Sequence, residues 1–296
     1  MIAQEAGGDP SAALLITGRN HSVAKPMTYY GALAITKAIK IHAVATSKVD
    51  RHAHDDCPSE LATLSLGDPN TPTDEAVQHL VSRLKASLES GDEDFDSKHF
   101  AMMKQTCALV SFALALRGNG VLPSFSAVDR QTGFCQIHDK FRRDPLQARL
   151  LWVPQIARDQ LQMYEEHLGR IERHLGIAAR LKLTEHRQKF ASVAPLFWIQ
   201  DRYRIQFIDL QTVLKSGKSF GWPGRQNAGR HWLRSKMSGR CSAETLSAYF
   251  GHWQVGVEPW GATSSLDPLA YRADLKRCLD PILQDVGWCA LPTPVR

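Results

Sequence analysis

The sequence has no run of about 18 apolar residues, so it offers no candidate membrane-spanning helix. Its opening, Met1 to Pro10, lacks the basic-then-apolar order of a secretory leader. No CxxC pair occurs, and the six cysteines, at 57, 107, 135, 241, 278 and 289, are widely scattered. Such scatter fits reduced thiols in a cytoplasmic protein better than a disulfide framework. GxxxxGK[ST] is missing as well; the glycines of GKSFGWPG do not supply it, and bound ATP is not implied. Internal repeats and low-complexity tracts are absent. Acid is missing from one stretch. Lys215 to Arg240 holds Lys215, Lys218, Arg225, Arg230, Arg234, Lys236 and Arg240 with no Asp or Glu, whereas Asp50 to Asp96 is rich in carboxylates.

What remains is an ordinary globular composition. At 296 residues, 43% apolar and 22% charged, the chain can bury a sizeable core and form two domains. The net charge of +6 and the pI near 9.0 suit a polyanionic partner. The seven cations between 215 and 240 are interleaved with Trp222, His231 and Trp232. That reads as a phosphate-contacting surface, with a solvated basic face as the plainer reading.

Residues 11–17 and 27–46 are apolar stretches compatible with helices. SLGDPNTPTDEA (65–76) reads as a loop leading into a helix, with Thr73 or Asp74 as its N-cap. Leu80, Leu84 and Leu88 recur every four residues, so 75–89 is a helix. SGDEDFDS (90–97) is a polar linker dividing a helical N-terminal region, 1–97, from a larger domain, 98–296. Phe100 to Leu116 is an apolar helix that stops before Arg117, Gly118 and Gly120. Strand-like pieces follow at 124–129, 133–138 and 149–154. Gln155 to Leu175 places Ile156, Leu161, Tyr164, Leu168, Ile171 and Leu175 on one helical face. ASVAPLFWI (191–199) is a strand or buried segment, 217–229 a glycine-rich loop, and 230–238, 242–250 and 268–285 are helices. The class is mixed α+β, mostly α.

Breaking a phosphodiester by transesterification asks for several groups at once. A nucleophile attacks phosphorus, cations hold the non-bridging oxygens as charge builds, and a donor protonates the departing 5′ oxygen. Tyrosine suits the first role, because phenolate can leave again and the covalent link stores the bond energy for religation. The second half of the chain contains such groups in a definite order. Arg117 follows an apolar helix, Lys140 lies in IHDK past the strand pair, and His231 and Arg234 form RHWLR, three apart on one helix. His252 lies in FGHW, and Tyr271, in DPLAY, is the sole tyrosine after it.

In these motifs the sequence resembles the tyrosine recombinase, or phage integrase, family over about residues 98–288. That family has an arginine after a helix, a lysine in a β-hairpin, a His-x-x-Arg box, a Gly-His and a C-terminal tyrosine. The resemblance assigns these to Arg117, Lys140, His231 with Arg234, Gly251 with His252, and Tyr271. GHW (251–253), SSLDP (264–268) and GW (287–288) extend the likeness. It implies a helical catalytic domain with a small antiparallel β-sheet and a preceding DNA-clamping arm. Arg117, Arg234 and His231 would hold the phosphoryl oxygens, Lys140 would protonate the leaving oxygen, and His252 would support the site. Lys215, Lys218, Arg225, Arg230 and Lys236 would contact double-stranded DNA. The partner would be a homotetramer on that DNA, in the nucleoid, with no metal or nucleotide cofactor and no membrane.

Three features depart from the family pattern. Arg234 and His252 are 18 residues apart, which is tight, and His252 and Tyr271 are 19 apart, about twice the usual spacing. LALRGNG stands where TGLR is more frequent. A relaxing topoisomerase of the same chemistry, and a DNA-binding accessory protein or decayed integrase without turnover, are the competing readings. HAHDDC, with His52, His54, Asp55, Asp56 and Cys57, is a candidate metal cluster that a polar loop explains equally well.

Overall fold

The computed structural model describes residues 2–5, 7, 10–17, 32–47, 65–68, 71–90, 94–138, 148–216, 227–253, 258–261 and 264–295. The first part forms a small satellite. Helices α1 (Ile2–Glu5), α2 (Pro10–Thr17) and α3 (Ile35–Ser47) accompany an antiparallel pair, β1 (Ala32–Ala34) with β2 (Ser65–Gly67). Ala12, Leu33, Ala38 and Ile41 are its buried centre. The sequence reads 27–46 as a stretch compatible with helix. Pairing with β2 takes Ala32–Ala34 into a strand instead, a long-range contact overriding local propensity.

Helix α4 (Asp74–Glu89) begins where Thr73 accepts a hydrogen bond from Ala76 N–H at 3.3 Å. Its buried stripe, Val77, Leu80, Val81 and Leu84, belongs to the main core and not to the satellite. Helix α5 (Phe95–Ala113) is the centre of that core, buried on nearly every side from Ala101 to Ala113. Asp94 caps it by accepting from Ser97 N–H at 2.7 Å. The cap starts this helix five residues earlier than the apolar run suggests, so the linker read at 90–97 is shorter than expected.

The segment 124–129 is not a strand. Phe125–Ala127 is a 3₁₀ turn, because Ser124 and Ser126 donate to Ala191 O (2.8 and 3.1 Å) and Asp129 folds the chain back onto Gln131 and Thr132. The antiparallel hairpin is instead β3 (Phe134–His138) with β4 (Ala148–Trp152), and Phe134 faces Trp152. Helix α6 (Gln155–His174) follows Pro154, which offers no side-chain cap. Asp280 supplies one from far along the chain, accepting from Gln155 and Ile156 N–H at 3.1 Å each. Helix α7 (Ile177–Lys189), the antiparallel pair β5 (Phe197–Asp201) with β6 (Arg204–Phe207), and the short α8 (Leu210–Lys215) complete this side.

Helices α9 (Ala228–Met237), α10 (Ala243–Phe250) and α11 (Pro268–Asp285) lie where the sequence predicts them. α9 packs closely on α5 at Gly229, where a Cβ would stand 3.0 Å from Phe112 Cα. Among the described residues the architecture is mostly helical with three two-stranded antiparallel pieces, and no helix is long and apolar enough to cross a membrane.

Candidate functional site

The site forms where two helices end against each other. After α5 the chain turns at Ala115, whose φ of +48° is left-handed, and Leu116 N–H reaches back to Ser111 O at 3.1 Å. Helix α10 closes in the same way: Gly251 has φ +65°, and His252 N–H reaches Ser247 O at 2.9 Å. A Cβ on Gly251 would also stand 3.0 Å from Arg149 Cδ. Both helices thus aim carbonyl-rich, partially negative ends at one place.

Two buried guanidiniums join those ends. Arg149, on β4, donates to Leu114 O (3.4 Å), Ala115 O (3.3 Å) and Tyr249 O (2.6 Å). Arg230, on α9, donates to Ala115 O (3.1 Å) and to Phe250 O. One turn on, Arg234 lies with Arg230 over the Phe250 ring, 5.9 and 5.3 Å from its centre.

His252 sits among these cations. Its Nε2 is 3.4 Å from an Arg230 nitrogen that can only donate, which makes Nε2 the acceptor and places the ring proton on Nδ1. Burial first, then Arg230, Arg234, Arg117 and Arg149, push its pKa down to about 2. A neutral imidazole inside four guanidinium charges is suited to receive an anion. The ring can donate through Nδ1 while the cations offset incoming negative charge.

The sequence-predicted residues divide. Arg117, Arg234 and His252 are brought together. His231 instead pairs through Nδ1 with Asp68, just past β2, and its carbonyl accepts from Ser235, whose hydroxyl in turn accepts from Ala32 N–H. Lys236 pairs with Asp74, which also accepts from Trp232 Nε1 at 2.9 Å. Arg230, read as a duplex contact, is buried in the cluster, and Lys215 is exposed at the end of α8. Lys140, Lys218, Arg225 and the cluster at 52–57 lie outside the described residues. Among the described residues no three His, Cys, Asp or Glu groups stand as metal ligands.

Tyr271 lies in the first turn of α11 and is fully buried. Its hydroxyl donates to Leu150 O at 2.9 Å. The ring is stacked 6.2 Å from Phe134 and meets Trp260 edge-on at 5.2 Å. Burial foremost, then Tyr249, raises its pKa well above the ordinary phenol value, while Arg149 acts the other way. Arg149 therefore acts on both the His252 pocket and the Tyr271 pocket. Sequence reasoning missed it. The available signal was a lone charge in the ARLLW strand, which turns out buried at both ends.

Family models, curated proteins and solved structures offer no match to this chain.

Proposed function

We propose that this chain cuts and rejoins double-stranded DNA through a 3′-phosphotyrosine on Tyr271, as the resemblance to tyrosine recombinases implies. The observation that carries the reading is the convergence of Arg117, Arg149, Arg230 and Arg234 on a neutral His252. In-line attack on a phosphodiester places extra negative charge on the non-bridging oxygens, and fixed guanidiniums next to a proton-donating imidazole lower that barrier most. A second feature supports the alignment. Ala115 stands two residues before Arg117, where the more frequent TGLR motif has glycine, and its backbone is left-handed, the conformation glycine favours. In this reading Arg234 and Arg117 hold the phosphate, Arg230 takes the place first given to His231, and Lys140 protonates the 5′ oxygen. Lys215, Lys218 and Arg225 steer the duplex. A homotetramer on DNA would carry out the exchange, and conservation of bond energy in the protein–DNA link leaves no need for a nucleotide cofactor.

Before attack, the Tyr271 hydroxyl must exchange Leu150 O for the phosphate, which requires the first turn of α11 to shift. That burial favours a second reading, a DNA-binding accessory protein that keeps the phosphate site without turnover. One experiment separates the two. Duplexes selected by the protein from a random library are resynthesised with a 5′-bridging phosphorothioate at each position, which traps cleaved strands. We expect a covalent adduct on Tyr271 that Tyr271→Phe abolishes while binding changes only a few-fold. Binding with no adduct supports the accessory reading; failure to bind any duplex overturns both.

A further inference from the structure

We propose that Cys241 and Cys278 form a thiol pair that peroxide converts into an intramolecular disulfide, fastening α11 to the α9–α10 junction. The geometry is set by a hydrogen-bonded seam on both sides of the pair. Asp274 accepts from Ser242 N–H and from the Thr245 hydroxyl, both at 3.0 Å, which ties α11 to the start of α10. Arg277 donates to Arg240 O at 3.3 Å and to Asp274 at 2.7 Å. Cys241 lies between Arg240 and Ser242, Cys278 follows Arg277, and the two thiols are near enough to act on each other directly. Each sulfur also contacts a carbonyl of its preceding helical turn, Met237 O and Leu275 O, at 3.7 Å.

The pair differs from the other described buried thiols. Burial alone pushes Cys107 well up and Cys135 to about 11. Cys241 and Cys278 instead act on each other, and the nearby guanidiniums, Arg277 and Arg240 at Cys278 and Arg234 at Cys241, favour the thiolate. Either sulfur can be the one attacked first, with its neighbour resolving it. Both are nearly buried, yet the Arg277 and Arg240 side chains beside them are largely exposed, so a small oxidant has a short way in.

One of the two thiolates attacks one oxygen of hydrogen peroxide, the O–O bond breaks, and the departing hydroxide takes a proton to become water. The other thiol then attacks the sulfenic sulfur, the S–O bond breaks, and the second water leaves with that thiol's proton. Two thiols and one peroxide give one disulfide and two waters.

The test uses the full, reduced chain with hydrogen peroxide and no DNA, so it is independent of the proposed function. The expected result is loss of two of the six thiols, a 241–278 cross-linked peptide in non-reducing mass spectrometry, and reversal by dithiothreitol. Because the bond forms in the native geometry, the melting temperature should rise by several degrees. Cys241→Ser and Cys278→Ser should each abolish the cross-link and leave the remaining thiol to oxidise only to a sulfenic acid that dimedone traps. If both cysteines stay alkylatable while another thiol oxidises, or if the cross-link forms only in urea, the proposal is overturned.

Discussion

Two buried histidine sites in this chain reach a similar protonation state by different routes. His99 and His167 stack 5.3 Å apart between α5 and α6. His99 Nε2 faces Phe197 O at 3.0 Å and so carries its proton; Nδ1 then accepts from His167 Nε2 at 3.0 Å. His167 Nδ1 accepts in turn from the Thr293 hydroxyl at 2.7 Å. Every proton in that chain has a defined place, and it pins the C-terminal segment to the core. Burial holds His99 at about 4; burial, then His99 and Arg170, hold His167 at about 2. His252 is also held at about 2, but four arginines contribute there. Around His99 and His167 burial dominates, and Arg170 is the one cation named with it, which serves structure. Around His252 burial is again the largest cause, but the part that four arginines add can be offset by an anion, and that part suits a phosphate site.

The largest expected effect tests how far the cluster is also structural. Arg149→Met keeps length and apolar stem but leaves two buried carbonyls, Leu114 and Tyr249, without their donor, while Ala115 O keeps Arg230. At roughly 1–3 kcal/mol for each unsatisfied buried group, partly relieved by relaxation, the loss should be about 2–4 kcal/mol. Urea denaturation measures it. A loss below about 1 kcal/mol would mean that Arg149 does not hold the two helix ends together.

Acid comes next and separates the two histidine sites. A histidine whose folded pKa lies below its unfolded value near 6.5 binds fewer protons folded than unfolded. Its contribution is intact above pH 6.5 and is lost as pH falls toward the folded pKa. His99 accordingly acts between about pH 6.5 and 4, and His252 down to about 2. Each should remove up to about 1.4 kcal/mol of stability per pH unit within its window. Denaturation at pH 7, 6 and 5 should show a shallower decline for both His99→Gln and His252→Gln. Sulfate in place of chloride at equal ionic strength should flatten the decline of the parent and of His99→Gln, but not of His252→Gln. Equal flattening in all three would remove the distinction between the sites.

The sequence reveals elements best where an apolar stripe and a cap coincide. Thr73 before Leu80 and Leu84, and Asp267 before Pro268, announce α4 and α11. Helix α7 buries only Ala179 and Leu183, with Ile177 and Leu181 exposed, so it carries no readable stripe. The site shows the same limit. Arg117, Arg234 and His252 are legible from their order along the chain. Arg149 and Arg230 are fixed by carbonyls from other elements, and the partner of His231 is Asp68, far away in sequence; no local pattern encodes either. Burial of the Tyr271 hydroxyl on Leu150 O likewise depends on β4, which the spacing of motifs does not describe.

The smallest effect bears on the helix end that aligns Arg117. Ala115 is fully buried at φ +48°. A left-handed L-residue carries about 1–2 kcal/mol of strain that glycine avoids. Ala115→Gly also removes a buried methyl, worth roughly 0.8 kcal/mol, and frees the unfolded chain by about 0.4–1 kcal/mol. These contributions nearly cancel, so the variant should lie within about 0.5 kcal/mol of the parent. Ala108, equally buried but in the middle of α5, has no strain to relieve. Ala108→Gly should cost about 2 kcal/mol, from the lost methyl and the poorer helix propensity together. The difference between the two variants, read from paired urea curves, measures the left-handed turn itself. If Ala115→Gly costs as much as Ala108→Gly, the helix does not end in that turn, and the correspondence of LALR with TGLR loses its physical basis.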